Sequence, residues 1–157
     1  MTAEIFWRLS AFFGVLFVMT AWEIIAPRRQ QTQSKLKRWT SNLSIVFINT
    51  AFIRALFPAA AVGMALAVGQ LQWGLFNYID VPYWVKVTVS VVALDFVIYI
   101  QHVMFHAIPI FWRVHRVHHV DLYFDVTTGV RFHPIEIFLS LLIKFAAIAL
   151  LGAPALS

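Results

Sequence analysis

All six histidines of this 157-residue chain lie between His102 and His133, and their spacing is that of a metal site. They fall into three groups: His102-x3-His106, His115-x2-His118-His119, and His133 followed by Pro134. On a helix, residues three and four apart share a face. His102 and His106 therefore stack one above the other, and His115, His118 and His119 point into one sector. Two such helices face to face bring at least five of the six imidazoles together. Neutral imidazole is the commonest protein ligand for transition metals and suits iron, zinc, copper and nickel. The chain has no cysteine, so a thiolate site is excluded. A lone histidine carries little weight; five within the 18 residues His102 to His119 carry a good deal.

Asp95 and Tyr99 precede His102 by seven and three residues, which extends the polar stripe along an otherwise apolar helix. Asp95 is expected to accept the far ring N–H of a ligand histidine, or to hydrogen-bond Tyr99. Such outer contacts fix the tautomer and the ring orientation. No catalytic residue separate from the metal ligands is expected.

The elements that carry these residues read as membrane spans. Apolar residues make up 61% of the chain and charged residues 12%, about half the charged share of a globular protein. That leaves too little polar surface for a dissolved chain and points to an all-α, multi-span integral membrane protein. Leu9 to Ala26 is the first apolar run, ended by Pro27. Residues 28–41 form a basic loop with five Lys or Arg and no acid, and Asn42 is expected to cap the next helix. Leu43 to Val68 is the second run, kinked at Pro58 and carrying Arg54, which is expected to pair with Glu23 or Asp95. Gly69 to Pro82 is an uncharged-to-acidic aromatic loop suited to a membrane interface.

Tyr83 to Ile108 is the third span and ends in the histidine stripe, with Pro109 as its stop. Phe111 to Val120 reads as a short helix and residues 125–129 as a turn. Ile135 to Leu151 is the fourth run, entered at Pro134, with Glu136 in the first turn where the helix dipole favours an acid. Loop charge alternates between five basic residues, none, and then three (Arg113, Arg116 and Arg131). The positive-inside pattern then predicts four spans, an outside N-terminus, and histidines facing the cytoplasm from an inner membrane or the endoplasmic reticulum. The same clustering of basic residues beside apolar runs argues against nucleic acid as the partner of this +5 chain.

On these residues the chain resembles the fatty acid hydroxylase/sterol desaturase superfamily of membrane enzymes. The likeness runs through Asp95-x3-Tyr99-x2-His102-x3-His106, through His115-Arg116-Val117-His118-His119, and through Arg131-Phe132-His133-Pro134-x-Glu136. Trp22-Glu23 and Pro27-Arg28-Arg29 look like that family's first span. The resemblance implies a non-haem centre of two irons held by His102, His106, His115, His118, His119 and His133, with Asp95 and Tyr99 supporting the ligands. It implies O2 and two electrons from an external redox partner, a cytochrome b5- or ferredoxin-like carrier that Arg113, Arg116 and Arg131 could dock. The implied reaction is hydroxylation or desaturation of an unactivated C–H bond of a lipid, either a sterol or a fatty acyl chain. It also implies a further H-x2-H-H group downstream, so residues 1–157 read as one membrane domain expected to continue past Ser157. The alternative reading is a non-catalytic metal- or haem-binding membrane module. A bis-histidine haem protein would place its histidines singly and on separate helices, whereas these cluster and include a His-His pair.

Overall fold

The computed structural model describes residues 2–27 and 34–155 and shows an all-α protein. Six α-helices follow in order: α1 (Thr2–Ile25), α2 (Lys35–Leu56), α3 (Ala60–Gln70), α4 (Tyr83–Ala107), α5 (Pro109–His119) and α6 (Pro134–Leu151). Single 3-10 turns stand at Leu75–Asn77 and Thr128–Val130, and no strand occurs among the described residues. Among the described residues two helices have the length and composition to cross a bilayer: α4, with 25 residues, and α6, with 18. At about 1.5 Å per residue they reach roughly 37 and 27 Å, against a hydrocarbon core of about 30 Å.

The first expected span lies in α1, a helix of 24 residues whose described apolar part runs Leu9–Ile25. The run from Leu43 to Val68 is two helices rather than one kinked helix. Pro58 lacks an amide N–H and disfavours helical geometry in the residue before it. Phe57 accordingly sits at φ −136° and ψ 76°, and α2 ends at Leu56. The basic segment is also partly helical, since α2 begins at Lys35, while Arg28 and Arg29 lie outside the described residues. Asn42 therefore does not cap a helix. It lies seven residues inside α2 and is fully buried. Arg54 is exposed and pairs with neither Glu23 nor Asp95; Glu23 Oε1 instead accepts a hydrogen bond from Val126 N at 2.9 Å.

α6 is the central helix, packed against α3, α4 and α2. Ala65 of α3 and Leu94 of α4 meet Ile148 far along α6. Small residues at such contacts let helices approach closely where no hydrophobic effect drives them together. At the other end of α6, its first turn meets α5 and the end of α4. The short distance from Ala107 to Pro109 folds α5 back beside α4. Pro109 has no N–H to continue the preceding helix and a φ preset for starting the next one, so one residue ends α4 and opens α5.

Candidate metal centre

This reversal brings four imidazoles to one point. His102 and His106 come from the last turns of α4, and His115 and His119 from α5. Their ligand nitrogens all lie within 4.8 Å of one another. His106 Nε2 is 3.1 Å from His102 Nε2 and 3.3 Å from His115 Nε2, and His115 Nε2 is 3.2 Å from His119 Nε2. Only His115 is fully buried; the other three rings face outward. Phe105, 1% exposed, closes the floor at 5.8 Å from the His115 ring, and Trp112 flanks His106 and His119 at 5.3 and 5.6 Å. Burial, reinforced by neighbouring His106 and His118, pushes His115 down to about 4, and His119 is lowered for the same kinds of reason. Both rings are thus held neutral near pH 7, the form that binds metal.

Glu136 orients the buried ring. Its Oε1 lies 2.6 Å from His115 Nδ1, and both side chains are buried. A neutral imidazole that donates through Nδ1 keeps its lone pair on Nε2. The pair therefore aims the His115 lone pair at the other three rings, and Glu136 Oε2 is left buried without a protein partner. The supporting role expected of Asp95 and Tyr99 is filled in this arrangement by Glu136. Asp95 and Tyr99 are both exposed on α4, and neither hydrogen-bonds a histidine. Spacing along one helix pointed to the same stripe, but the acceptor comes from another helix, 21 residues after His115.

The two remaining histidines stand apart from the four. His118 donates through Nδ1 to the carbonyl of Arg131 at 3.3 Å and stacks on Phe132, with centroids 4.7 Å apart and planes 4° from parallel. In the neutral ring Nε2 then carries the lone pair, and the ring lies 5.0 Å from that of His119. His133 is employed differently: its Nδ1 accepts the Ile135 amide at 3.1 Å and caps the N-terminus of α6. In the neutral ring the proton then sits on Nε2, which makes that nitrogen a donor in this arrangement.

A buried polar network holds the segment that carries these contacts. Arg38 of α2 donates to both oxygens of Asp121 at 2.9 and 3.0 Å, to Asp125 Oδ2 at 2.9 Å, and to the Tyr123 carbonyl. Asn42 donates to Asp121 at 3.2 Å and to Thr127 at 2.8 Å, and accepts from Arg131 Nη1 at 3.0 Å. Asn49 donates to the Phe132 carbonyl at 2.8 Å. Burial opposes ionisation of Asp121, but hydrogen bonds from Arg38, Thr128, the Tyr123 amide and Asn42 outweigh it and hold this carboxyl well below its ordinary range. Sequence reasoning left Arg38, Asn49 and Asp121 unassigned and took Asn42 for a cap, because their partners are about 80 to 90 residues away in the chain. Of the three arginines read as topology determinants or as a docking patch, Arg131 is half-buried and tied to Asn42, whereas Arg113 and Arg116 are exposed.

The donor set suits a transition metal. Three Nε2–Nε2 separations of 3.1 to 3.3 Å are those of ligands sharing one ion, since metal–nitrogen bonds of about 2.1 Å at 90° to 109° put the nitrogens about 3.0 to 3.4 Å apart. An all-imidazole group with a buried, unpartnered carboxylate oxygen beside it suits iron or zinc. Residues 87–157 match the family model described as Fatty acid hydroxylase. No curated protein and no solved structure matches the chain.

Proposed function

Because residues 87–157 match the fatty acid hydroxylase family model, we propose that the chain belongs to an O2-dependent oxidoreductase that hydroxylates or desaturates an unactivated C–H bond of a lipid. The observation that carries this reading is the meeting of His102, His106, His115 and His119 at the end of two apolar helices. These four would hold one iron, with His118, its Nδ1 spent on the Arg131 carbonyl and its ring adjacent, available through Nε2 to a second. Bound iron supplies the oxygen activation that acid–base side chains cannot.

The protein's own share is placement. Glu136 holds the proton on His115 Nδ1 and keeps Nε2 free, and the Arg131 carbonyl does the same for His118. Phe105 and Trp112 pack against the ring cluster on two sides. A centre at the end of α4 and α6 receives an apolar chain laterally from the bilayer, as a sterol or fatty acyl substrate requires. Exposed Arg113 and Arg116, three apart on one face of α5, suit an acidic electron carrier of the ferredoxin or cytochrome b5 kind through charge complementarity. We place this face toward the cytoplasm, following the basic loops on that side.

The deciding experiment is metal analysis of the protein purified from iron-replete cells, followed by incubation with O2, a reductant and a lipid panel. Bound iron and an oxygenated or unsaturated product are expected. Zinc alone, with no product from any lipid, would instead favour the non-catalytic metal-binding module, which the tight single cluster also accommodates. A Soret band would transfer the reading to haem.

A further inference from the structure

A second feature shares no residue with the ring cluster. A groove runs between α2 and the start of α6, lined by Val46, Asn49, Ile53, Arg54, Phe57 and Ile137 among others. Its walls are apolar, no acidic residue lines it, and its one charge is Arg54. Among the described residues Arg54 has no carboxylate partner, and it is exposed. Asn49 is 6% exposed; its amide nitrogen is spent on the Phe132 carbonyl, while its Oδ1 has no hydrogen-bond partner. The groove thus offers a planar cation and a buried acceptor at the ends of an apolar trough.

The level of Arg54 follows from the rings around it. Phe52 and Phe57, which bracket it in sequence, both contact Phe138, at 6.4 and 6.1 Å between centroids. Phe138 is four residues into α6, about 6 Å along that span. An arginine at this level, beside a helix long and apolar enough to cross a bilayer, would lie where headgroup meets acyl chain. An unpaired charge there is costly and draws an anionic oxygen. The guanidinium fork matches a phosphate with two parallel hydrogen bonds. Asn49 Oδ1 calls for a donor next to that phosphate.

We infer that this groove binds one anionic phospholipid, its phosphate on Arg54, a headgroup hydroxyl on Asn49 Oδ1, and an acyl chain along Ile53, Phe57 and Ile137. A phosphatidylglycerol-type headgroup has both required groups; phosphatidylcholine has the phosphate but neither net charge nor donor. The site is separate from the imidazole cluster and independent of which metal that cluster holds. It touches the cluster indirectly, since Asn49 also holds Phe132, on which His118 stacks.

The test is native mass spectrometry of the full chain in detergent, with phosphatidylglycerol or phosphatidylcholine added. The expected result is one retained phosphatidylglycerol on the wild-type protein, retention reduced at least tenfold in Arg54→Met and less in Arg54→Lys, with metal content unchanged in both. Equal retention of the two lipids by the wild type overturns the inference, as does undiminished phosphatidylglycerol on Arg54→Met. Displacement of the lipid by laurate at equal concentration also overturns it, by assigning the groove to a free carboxylate. Should Arg54→Met fail to fold, the wild-type lipid preference and Arg54→Lys decide. Loss of iron binding from the chain leaves the lipid-retention readouts in place.

Discussion

His115 Nδ1 and Glu136 Oε1 stand 2.6 Å apart, both buried, across the junction of α5 and α6. This one contact ties the metal-facing ring to the span behind it. Replacing Glu136 with alanine should lower metal affinity about 10- to 100-fold, the usual effect of losing a ligand's hydrogen-bond partner. Glu136→Gln retains a carbonyl acceptor and should lose less. Competition with a chelator, read by bound metal, checks the order wild type, Gln, Ala; equal affinity in all three would show that the contact does not tune the site.

The six histidines should divide by role. Alanine at His102, His106, His115 or His119 should each empty the tight site, because each provides one of its four nitrogens. His133→Ala should leave that metal in place and cost about 0.5–2 kcal/mol of stability through loss of the α6 cap. Metal analysis beside thermal unfolding of the five variants separates these outcomes. Loss of metal in His133→Ala would mean that its ring turns to ligate.

Arg38 and Asp121 form a buried, two-pronged ion pair between α2 and the segment after α5. Removing one partner from such a pair typically costs about 3–5 kcal/mol, since it strands the other charge. Arg38→Met should therefore destabilise strongly, and the double variant Arg38→Met with Asp121→Leu should recover part of the loss. Thermal melts in detergent provide the comparison. A single variant as stable as the wild type would show the pair to be solvated.

The same pair has an acid signature. The Asp121 pKa is depressed below the ordinary 3.8, so folding is favoured by its ionised form. That contribution is complete above the unfolded value and is lost as pH falls through the folded one. Stability should thus drop below about pH 4, and Asp121→Asn should show a shallower drop there from a lower starting point. Detergent-phase melts at pH 3 to 6 measure both slopes; parallel curves would remove Asp121 from the account.

Much of the site could be read from the chain because its logic is local. His102 and His106, and His115 and His119, are spaced by one helical turn, so helix geometry alone places each pair on one face. Pro109 marks a helix end and Pro134 a helix start for a steric reason that needs no neighbours, though Pro109 also opens α5, two residues before the expected Phe111. Asn42 misled for the converse reason: a short polar side chain beside an apolar run suits a cap, and only its partners on residues 121–131 show why it is buried within a helix. Pro58 also proved a stronger break than a kink, because Phe57 before it adopts a non-helical backbone.

Composition and helical period, then, determined the all-α character, the apolar α4 and α6, and the clustering of imidazoles by pairs. Tertiary structure decided the rest: that the two pairs share one point, that Glu136 rather than Asp95 holds the buried ring, and that His133 caps a helix. Period assigns a side chain to a face of its own helix. Which face meets which, and which lone pair is left free, depends on contacts between residues 21 to about 90 positions apart, and those exist only once the helices have packed.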